Sequence, residues 1–197
     1  LFRSKQLGEV EELCLYSDSC TGQQRNIAFS AMCLYLVETL PINKITHTYF
    51  ERGHSQMEGD SIHAVIEKAT KMATIYTPDE WFTAVRMAKQ SPPPYNVIEV
   101  QQSMILDFKS LAADVIHNRH TDSDGNKVTW TKIHAFQYKK AHPRKIYFKY
   151  QLDEDFSYLI IRKPVRRTSK NKIILSHYKL KGLYNDAIGI NEAKYRD

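Results

Sequence analysis

Two aspartates, Asp18 and Asp60, stand where the sequence could present carboxylates for metal-dependent chemistry. Asp18 follows the short apolar stretch 13–16, and Asp60 lies at the start of an amphipathic stretch. Mg²⁺ takes hard oxygen ligands and keeps several waters, so two or three carboxylates suffice to bind it. Two such ions held ~3.5–4 Å apart cleave phosphodiesters, one by activating water and the other by stabilising the leaving oxygen. The leading interpretation is therefore a phosphoryl-transfer site with Mg²⁺ or Mn²⁺ as cofactor.

Each acid also has an ordinary structural interpretation. Asp18 could be a turn residue, and Asp60 could be an acid of a first helical turn, where the helix dipole favours negative charge. Glu58 lies two residues before Asp60 and competes with it as a metal ligand. Glu67 falls two turns beyond Asp60 on the same face, where it is either a secondary ligand or an exposed charge.

A zinc site is a weaker alternative. His47, His54 and His63 could ligate zinc together with Cys14 and Cys20. Structural zinc sites, however, are usually built on close cysteine pairs such as CxxC, and the sequence has none. The three cysteines of the chain also lack the paired spacing of a disulfide framework.

An alternation of strand-like and helix-like segments would position the two aspartates. We expect a buried strand at 13–16, a largely buried helix at 27–40, a strand at 45–50, and a helix from about 59–61 to about 74. This order predicts an α/β layer with the two strands parallel. The carboxyl ends of parallel strands meet at one edge, where α/β folds bind ligands, so Asp18 and Asp60 are expected to meet there.

The middle of the chain contains a strong helix signal followed by a break. Thr77, Pro78 and Glu80 have the spacing of a capping box with proline at the first helical position, which predicts a helix to about residue 90. The prolines at 92–94 end it and indicate a boundary, so we divide the chain into residues 1–91 and 92–197.

The second part is predicted to be rich in β-strands. We expect a strand at 95–100, a helix at 103–115 and a small antiparallel sheet from segments 128–138, 145–152 and 158–162. The segment 122–126 resembles a calcium loop superficially, but it lacks the bidentate glutamate, so an Asp-Gly turn is favoured.

This second part is also strongly basic. Between Thr131 and Lys181, fourteen Lys and Arg stand against three acids, a net charge of +11 in a chain whose total is +6. A polyanionic partner is the functional inference, and an ordinary solvated basic face is the alternative. The residues assigned to phosphate contacts are Lys139, Lys140, Arg144, Lys145, Arg162, Lys163, Arg166, Arg167, Lys170 and Lys172. The interleaved aromatics, Tyr138, Tyr147, Phe148 and Tyr150, are assigned mostly to packing.

Two motifs resemble a known family. The segments LYSDSCTGQQRN and KITHTYFERGHSQMEGDSIHAVIEK are similar to the catalytic core of DDE-type transposases and retroviral integrases. More closely, they resemble a group of transposon-derived animal proteins. The similarity continues through DSDGNKVTW and KIYFKY and covers most of the chain. It implies an RNase H-like fold for the first part, followed by the small basic antiparallel subdomain, and a nuclear protein that acts on transposon-end or target DNA.

The resemblance makes Asp18 the second acid of a catalytic triad and Asp60 the third. His54 and His63 match the histidines at the helix start, which would assist with metal, water or a DNA phosphate. Ser19 departs from the family pattern, in which asparagine is commoner.

The first acid of such a triad lies on an earlier strand, for which the glutamates near the start of this chain are poor candidates. We therefore expect this chain to be a segment that lacks the first catalytic strand, or a protein that has lost part of its site. The alternative function is a domesticated, catalytically inactive domain that binds nucleic acid or protein. No apolar run of about 18 residues occurs, so a soluble intracellular protein with no membrane partner is expected. A homo-oligomer is left open.

Overall fold

A computed structural model describes residues 10–19, 22–51, 58–161, 175–186 and 189. The strands among them are β1 (Glu12–Ser17), β2 (Lys44–Tyr49), β3 (Ala135–Lys139), β4 (Lys145–Lys149) and β5 (Ser157–Ile160). The α-helices are α1 (Ile27–Thr39), α2 (Glu58–Thr70), α3 (Pro78–Ala88) and α4 (Phe108–Val115). Short 3₁₀ turns occur at Gln102–Met104, Trp130–Lys132 and Leu175–His177.

The chain divides into two compact units, which differ from the division predicted at residues 91 and 92. The first unit comprises Leu1–Ser55 and Leu106–Leu183, and it contains the sheet with α1 and α4. The second comprises Gln56–Ile105 and Tyr184–Asp197, and it contains α2 and α3. The segment between β2 and α4 therefore forms most of the second unit, while the two flanking segments fold together.

One mixed sheet with the order β1-β2-β3-β4-β5 organises the first unit. β1 pairs in parallel with β2, with Ser17 opposite Tyr49, so the predicted α/β layer and its parallel pair are confirmed. β2 then pairs antiparallel with β3, with Lys44 opposite Lys139. The antiparallel strands expected to form a separate basic subdomain therefore continue the same sheet. Local periodicity could not show this, because the pairing joins residues 95 positions apart.

Helix α1 forms the crossover between the two parallel strands. It begins at Asn26, whose side chain accepts a hydrogen bond from the Phe29 amide at 2.9 Å, the pattern of an N-cap. Its apolar circumference fits its burial, since α1 packs against α4, β2 and β3. The Tyr138 hydroxyl on β3 donates to Ser30 Oγ on the helix at 2.9 Å, and Tyr138 is fully buried. Packing and this buried hydrogen bond together hold α1 on the sheet.

Some of the other sequence-based predictions are confirmed by the structure and others are wrong. The capping box of Thr77 with Glu80 is confirmed. Asp122 accepts from the amides of Asp124 and Asn126, which confirms the expected turn. The strand predicted at 95–100 is wrong, since that segment has no regular structure, and the helix predicted from residue 103 begins at Phe108. None of the described helices is long and apolar enough to cross a membrane.

Removal of the Tyr138 hydroxyl tests the contact between α1 and the sheet. Tyr138→Phe leaves Ser30 without its buried donor, so the free energy of unfolding should fall by about 1–2 kcal/mol. Urea denaturation provides the measurement. Tyr16→Phe is the matched control, because Tyr16 is 59% exposed and should change stability by less than about 0.5 kcal/mol. An equal effect of the two substitutions would contradict the assigned role of the buried hydrogen bond.

Candidate functional site

The carboxyl ends of β1 and β2 meet at one edge of the sheet. The register ends with Ser17 opposite Tyr49, and the Phe50 amide donates to the Ser17 carbonyl at 2.9 Å, so the pairing extends one residue further. Asp18 follows β1 directly and is exposed. The structure therefore confirms that Asp18 lies at the carboxyl end of a parallel strand.

A cleft of about 300 Å³ lies at this edge. Ser19 and Glu51, which follow β1 and β2, contribute to its wall. The remaining lining residues are Arg25, Phe50, Thr131, Lys132 and His134. Sequence reasoning missed Glu51, although the rule that selected Asp18 applies to it as well, since it is the first acid after the second parallel strand. Lys132 and His134 gave no local signal, because they reach this edge only through the pairing of β2 with β3.

Arg25 brings a fixed positive charge to the cleft. It precedes α1, and its guanidinium lies over the Tyr49 ring at 4.3 Å from the ring centroid. It also donates a hydrogen bond to the Thr131 carbonyl. Burial raises the pKa of Tyr49, and the Arg25 charge opposes this shift. The tyrosine therefore stays neutral and acts as an aromatic support for the guanidinium.

A buried hydrogen-bond chain holds the end of β1. His47 Nε2 lies 2.8 Å from Ser17 Oγ, and Ser17 Oγ donates to the Asp18 carbonyl at 3.0 Å. The Ser17 hydroxyl donates its proton to that carbonyl, so it can only accept a hydrogen bond from His47. Nε2 must therefore carry the imidazole proton, an assignment made from the hydrogen-bond pattern. His47 Nδ1 is then a bare acceptor, which agrees with its lack of a partner among the described residues. The chain fixes the backbone that carries Asp18.

The same chain excludes a nucleophilic role for Ser17. Its hydroxyl is buried, and its proton is directed at a backbone carbonyl rather than at the imidazole. Burial, and secondarily the charge of Arg25, lowers the pKa of His47 to about 4. His47 is therefore a neutral positioning residue at pH 7. The zinc ligation considered from the sequence stays a prediction, because Cys20 and His54 lie outside the described residues.

The other predicted acids lie in the second unit. Glu58, Asp60 and His63 are on α2, and all three are exposed. His54 lies outside the described residues. The meeting of Asp18 with Asp60 therefore stays a prediction.

The acidic side chains at the carboxyl edge are of the chemical type that binds a divalent metal. Asp18 and Glu51 offer the hard carboxylate oxygens that Mg²⁺ prefers, and water commonly fills its other positions. Within the described ranges, no three His, Cys, Asp or Glu side chains are grouped closely enough to hold a metal ion by themselves. Asp18 and Glu51 are thus the candidate ligands at this edge, and water would have to complete the coordination of a metal ion.

The basic residues predicted to contact phosphate have different environments. Lys139 and Lys145 are partly exposed on the sheet, and Arg144 is exposed in the turn between β3 and β4. The Lys140 ammonium donates instead to the Leu40 carbonyl at 2.7 Å, which satisfies the C-terminal end of α1. The other six lie outside the described residues: Arg162, Lys163, Arg166, Arg167, Lys170 and Lys172.

The depressed pKa of His47 predicts a specific pH dependence of stability. An unfolded histidine titrates near 6.5 and takes up a proton before the folded one does, so stability is lost as pH falls from about 6.5 towards 4. Between pH 7 and pH 5 this group should cost about 2 kcal/mol of unfolding free energy. Urea denaturation of wild type and His47→Gln across this range measures the effect. An unchanged difference between pH 7 and pH 5 in His47→Gln would show that another group causes it.

Comparison with known proteins places the chain in a family. Neither the curated proteins nor the solved structures contain a match to it. A family model described as a domain of unknown function, DUF7869, matches residues 3–154, which is more than half of the chain. The chain therefore belongs to the DUF7869 family.

Proposed function

We propose that this chain carries part of a DDE-type phosphoryl-transfer site that acts on DNA phosphodiesters with Mg²⁺ or Mn²⁺. The observation that carries the proposal is the placement of Asp18 one residue after β1 and of Glu51 two residues after β2, where the two neighbouring parallel strands end at one edge of the sheet. Acids at the carboxyl edge of an α/β sheet are well placed to act on a ligand bound there. An RNase H-like fold is part of the proposal, supported by this parallel pair continued by antiparallel strands.

The residues at and near the carboxyl edge have separate roles in this proposal. Asp18 and Glu51 supply carboxylate oxygens for the divalent ions, which when bound activate water and stabilise the leaving oxygen. Arg25 and Lys132 provide positive charge in the cleft that contains Glu51, which favours binding of a phosphate group. The His47 and Ser17 chain fixes the backbone at Asp18, so the carboxylate starts from a defined position.

The other predicted participants stay predictions. Asp60 is the acid proposed to complete the set, with Glu58 as its competitor, and His63 would assist on the same helix. Action on DNA would make the protein nuclear.

A second candidate function is nucleic-acid binding without cleavage, as in a domesticated transposase. The observation that favours it is the incomplete donor set, since among the described residues no three His, Cys, Asp or Glu side chains are grouped closely enough to hold a metal ion. The two candidates predict different results in one assay.

Nicking of supercoiled plasmid DNA by the purified protein, with Mg²⁺ or Mn²⁺, tests the proposal. Asp18→Ala removes a metal ligand, so the nicking rate should fall on the order of 100-fold or more. Glu51→Gln keeps the size of the side chain but loses its charge, and it should also lower the rate. Asp153→Ala is the matched control, because Asp153 is an exposed loop acid of the same unit.

The outcomes separate the candidates. Activity that persists in Asp18→Ala would show that the site is assigned wrongly. A wild-type protein that binds DNA but does not nick it with either metal would favour the second candidate. Asp60→Ala tests the predicted third acid in the same assay.

A further inference from the structure

The sheet of the first unit has two chemically different faces. On the core face, α1 packs through Phe29 against His47 and through Ser30 against Tyr138, and α4 packs on α1. Because side chains alternate along a strand, the residues between these point to the second face. That second face carries mainly lysine, tyrosine, threonine and glutamine side chains, of which Gln137 and Tyr147 are buried and the lysines are partly exposed.

Three lysines lie side by side across this second face. Lys44 on β2 pairs directly with Lys139 on β3. The register of β3 with β4, continued to the ends of both strands, brings Lys139 opposite Lys145. Neighbouring strands are ~4.8 Å apart, and like charges in directly opposed positions destabilise a sheet. We call Lys44, Lys139 and Lys145 the lysine row. Stability alone does not favour such a row.

Each lysine of the row has a local partner that offsets this repulsion. Lys44 forms an ion pair with Glu12 at 2.6 Å. The Lys139 ammonium lies 4.4 Å from the ring centroid of Tyr147. The Lys145 ammonium lies 3.8 Å from the ring centroid of Tyr158.

A phosphate can replace the tyrosine rings as the partner of the Lys139 and Lys145 ammonium groups. Cation–π contacts at a protein surface are weak, whereas a phosphate offers a full negative charge and releases counterions on binding. Tyr147 and Tyr158 are neighbours, with ring centroids 5.6 Å apart. Tyr147 is only 9% exposed and its hydroxyl lies 2.7 Å from His142 Nδ1, whereas Tyr158 is half-buried. When the Lys145 ammonium moves to a phosphate, the Tyr158 ring becomes accessible to a base.

We propose that the lysine row, with Tyr158, binds single-stranded DNA. The phosphates lie along the lysines, and an unpaired base reaches the Tyr158 ring, on which it stacks. A duplex would present phosphates alone, since its bases are stacked on each other and cannot reach a ring that lies beneath a lysine side chain. The choice of DNA rather than RNA rests on the function proposed above.

This surface is separate from the cleft that contains Glu51. Glu12 and Lys44 begin β1 and β2, whereas Asp18 and Glu51 follow the opposite ends of these strands. Six residues of extended chain separate Glu12 from Asp18, which is roughly 20 Å. DNA could therefore occupy the lysine row whether or not the carboxyl edge is catalytic.

Fluorescence anisotropy with a labelled 20-nucleotide oligo(dT), in EDTA, tests the lysines. Lys139→Gln/Lys145→Gln should weaken binding about 10-fold or more at low salt, and should reduce the slope of log affinity against log salt by about 1.4. Lys109→Gln/Lys127→Gln is the matched control, since it removes the same charge from exposed positions of the same unit. Equal losses of affinity and slope in the two pairs would overturn the proposal.

The role of Tyr158 is tested with the same labelled oligo(dT). Tyr158→Leu should lower affinity for oligo(dT) about fivefold or more, and Tyr158→Phe should retain it, because stacking needs the ring and not the hydroxyl. A 20-base-pair duplex should bind wild type and Tyr158→Leu equally. Loss of duplex binding in Tyr158→Leu to the same extent would overturn single-strand binding, and tighter binding of oligo(U) than of oligo(dT) would overturn the choice of DNA.

Failure of this proposal is distinguishable from failure of the proposed function. Binding is measured without a divalent metal, so it does not depend on the carboxylates of the carboxyl edge. A wild-type protein that nicks plasmid DNA, while the two lysine pairs bind oligo(dT) equally, would overturn the lysine row alone. A protein whose lysine row binds oligo(dT) as described, but that nicks no DNA with either metal, would overturn the proposed function alone.

Discussion

The parallel pairing of β1 with β2 is the constraint on which the rest of the first unit depends. A parallel pair requires a crossover, and α1 supplies it by returning the chain to the amino end of the sheet. Both ends of this helix are tied down, by the Asn26 cap at its start and by the Lys140 ammonium at its end. The carboxyl ends of the two strands then have to lie at the same edge, which is what brings Asp18 near the cleft beside Glu51.

The sheet separates two kinds of polar chemistry. Polar groups that are buried on its core face, such as Ser17 with His47, are neutral and hydrogen-bonded, and they hold the backbone in place. Charged groups lie at the rims and on the second face, where water or a ligand can reach them. Asp18 and Glu51 follow the carboxyl ends of the parallel pair, where Arg25 and Lys132 also lie in the cleft, and the lysine row lies at the other end of the strands. One sheet thus carries the candidate phosphoryl-transfer site and the lysine row at opposite ends of its strands.

Local patterns predicted the elements that carry their own signal. The apolar circumference between Ile27 and Pro41 predicted α1 almost to the residue, and the capping box at Thr77 predicted α3. The apolar composition of segment 95–100 suggested a strand, but nothing in the described structure pairs with it as a β-ladder. A strand-like composition is only a tendency to fit a pleated surface, and the segment forms a strand only where it can pair with a neighbouring strand.

The residues of the candidate site that directly follow a strand could be predicted from the sequence, whereas those brought to it by long-range strand pairing could not. Asp18 could be selected because it ends an apolar run, and Glu51 could have been selected by the same rule. His134 could not, because only the long-range pairing of β2 with β3 brings it to the cleft. The assignment of the interleaved aromatics mostly to packing is confirmed, since Tyr138, Tyr147 and Phe148 are buried and Tyr150 packs against the core. Composition alone does not tell which alternate residues face the core, and the structure places Tyr138 on the core face and Tyr147 on the second face.

The insertion of the second unit between β2 and α4 has a consequence for how the sheet forms during folding. β4 follows β3 after a five-residue turn, whereas Lys44 and Lys139 are 95 residues apart. Loop-closure entropy grows with the logarithm of loop length, so the β2 to β3 contact is disfavoured by roughly 2.5 kcal/mol more than the adjacent hairpin. The β1-α1-β2 segment and the β3-β4-β5 meander can each form from local contacts. Their joining is the entropically slow step, and until it occurs the facing edges of β2 and β3 are open to other strands.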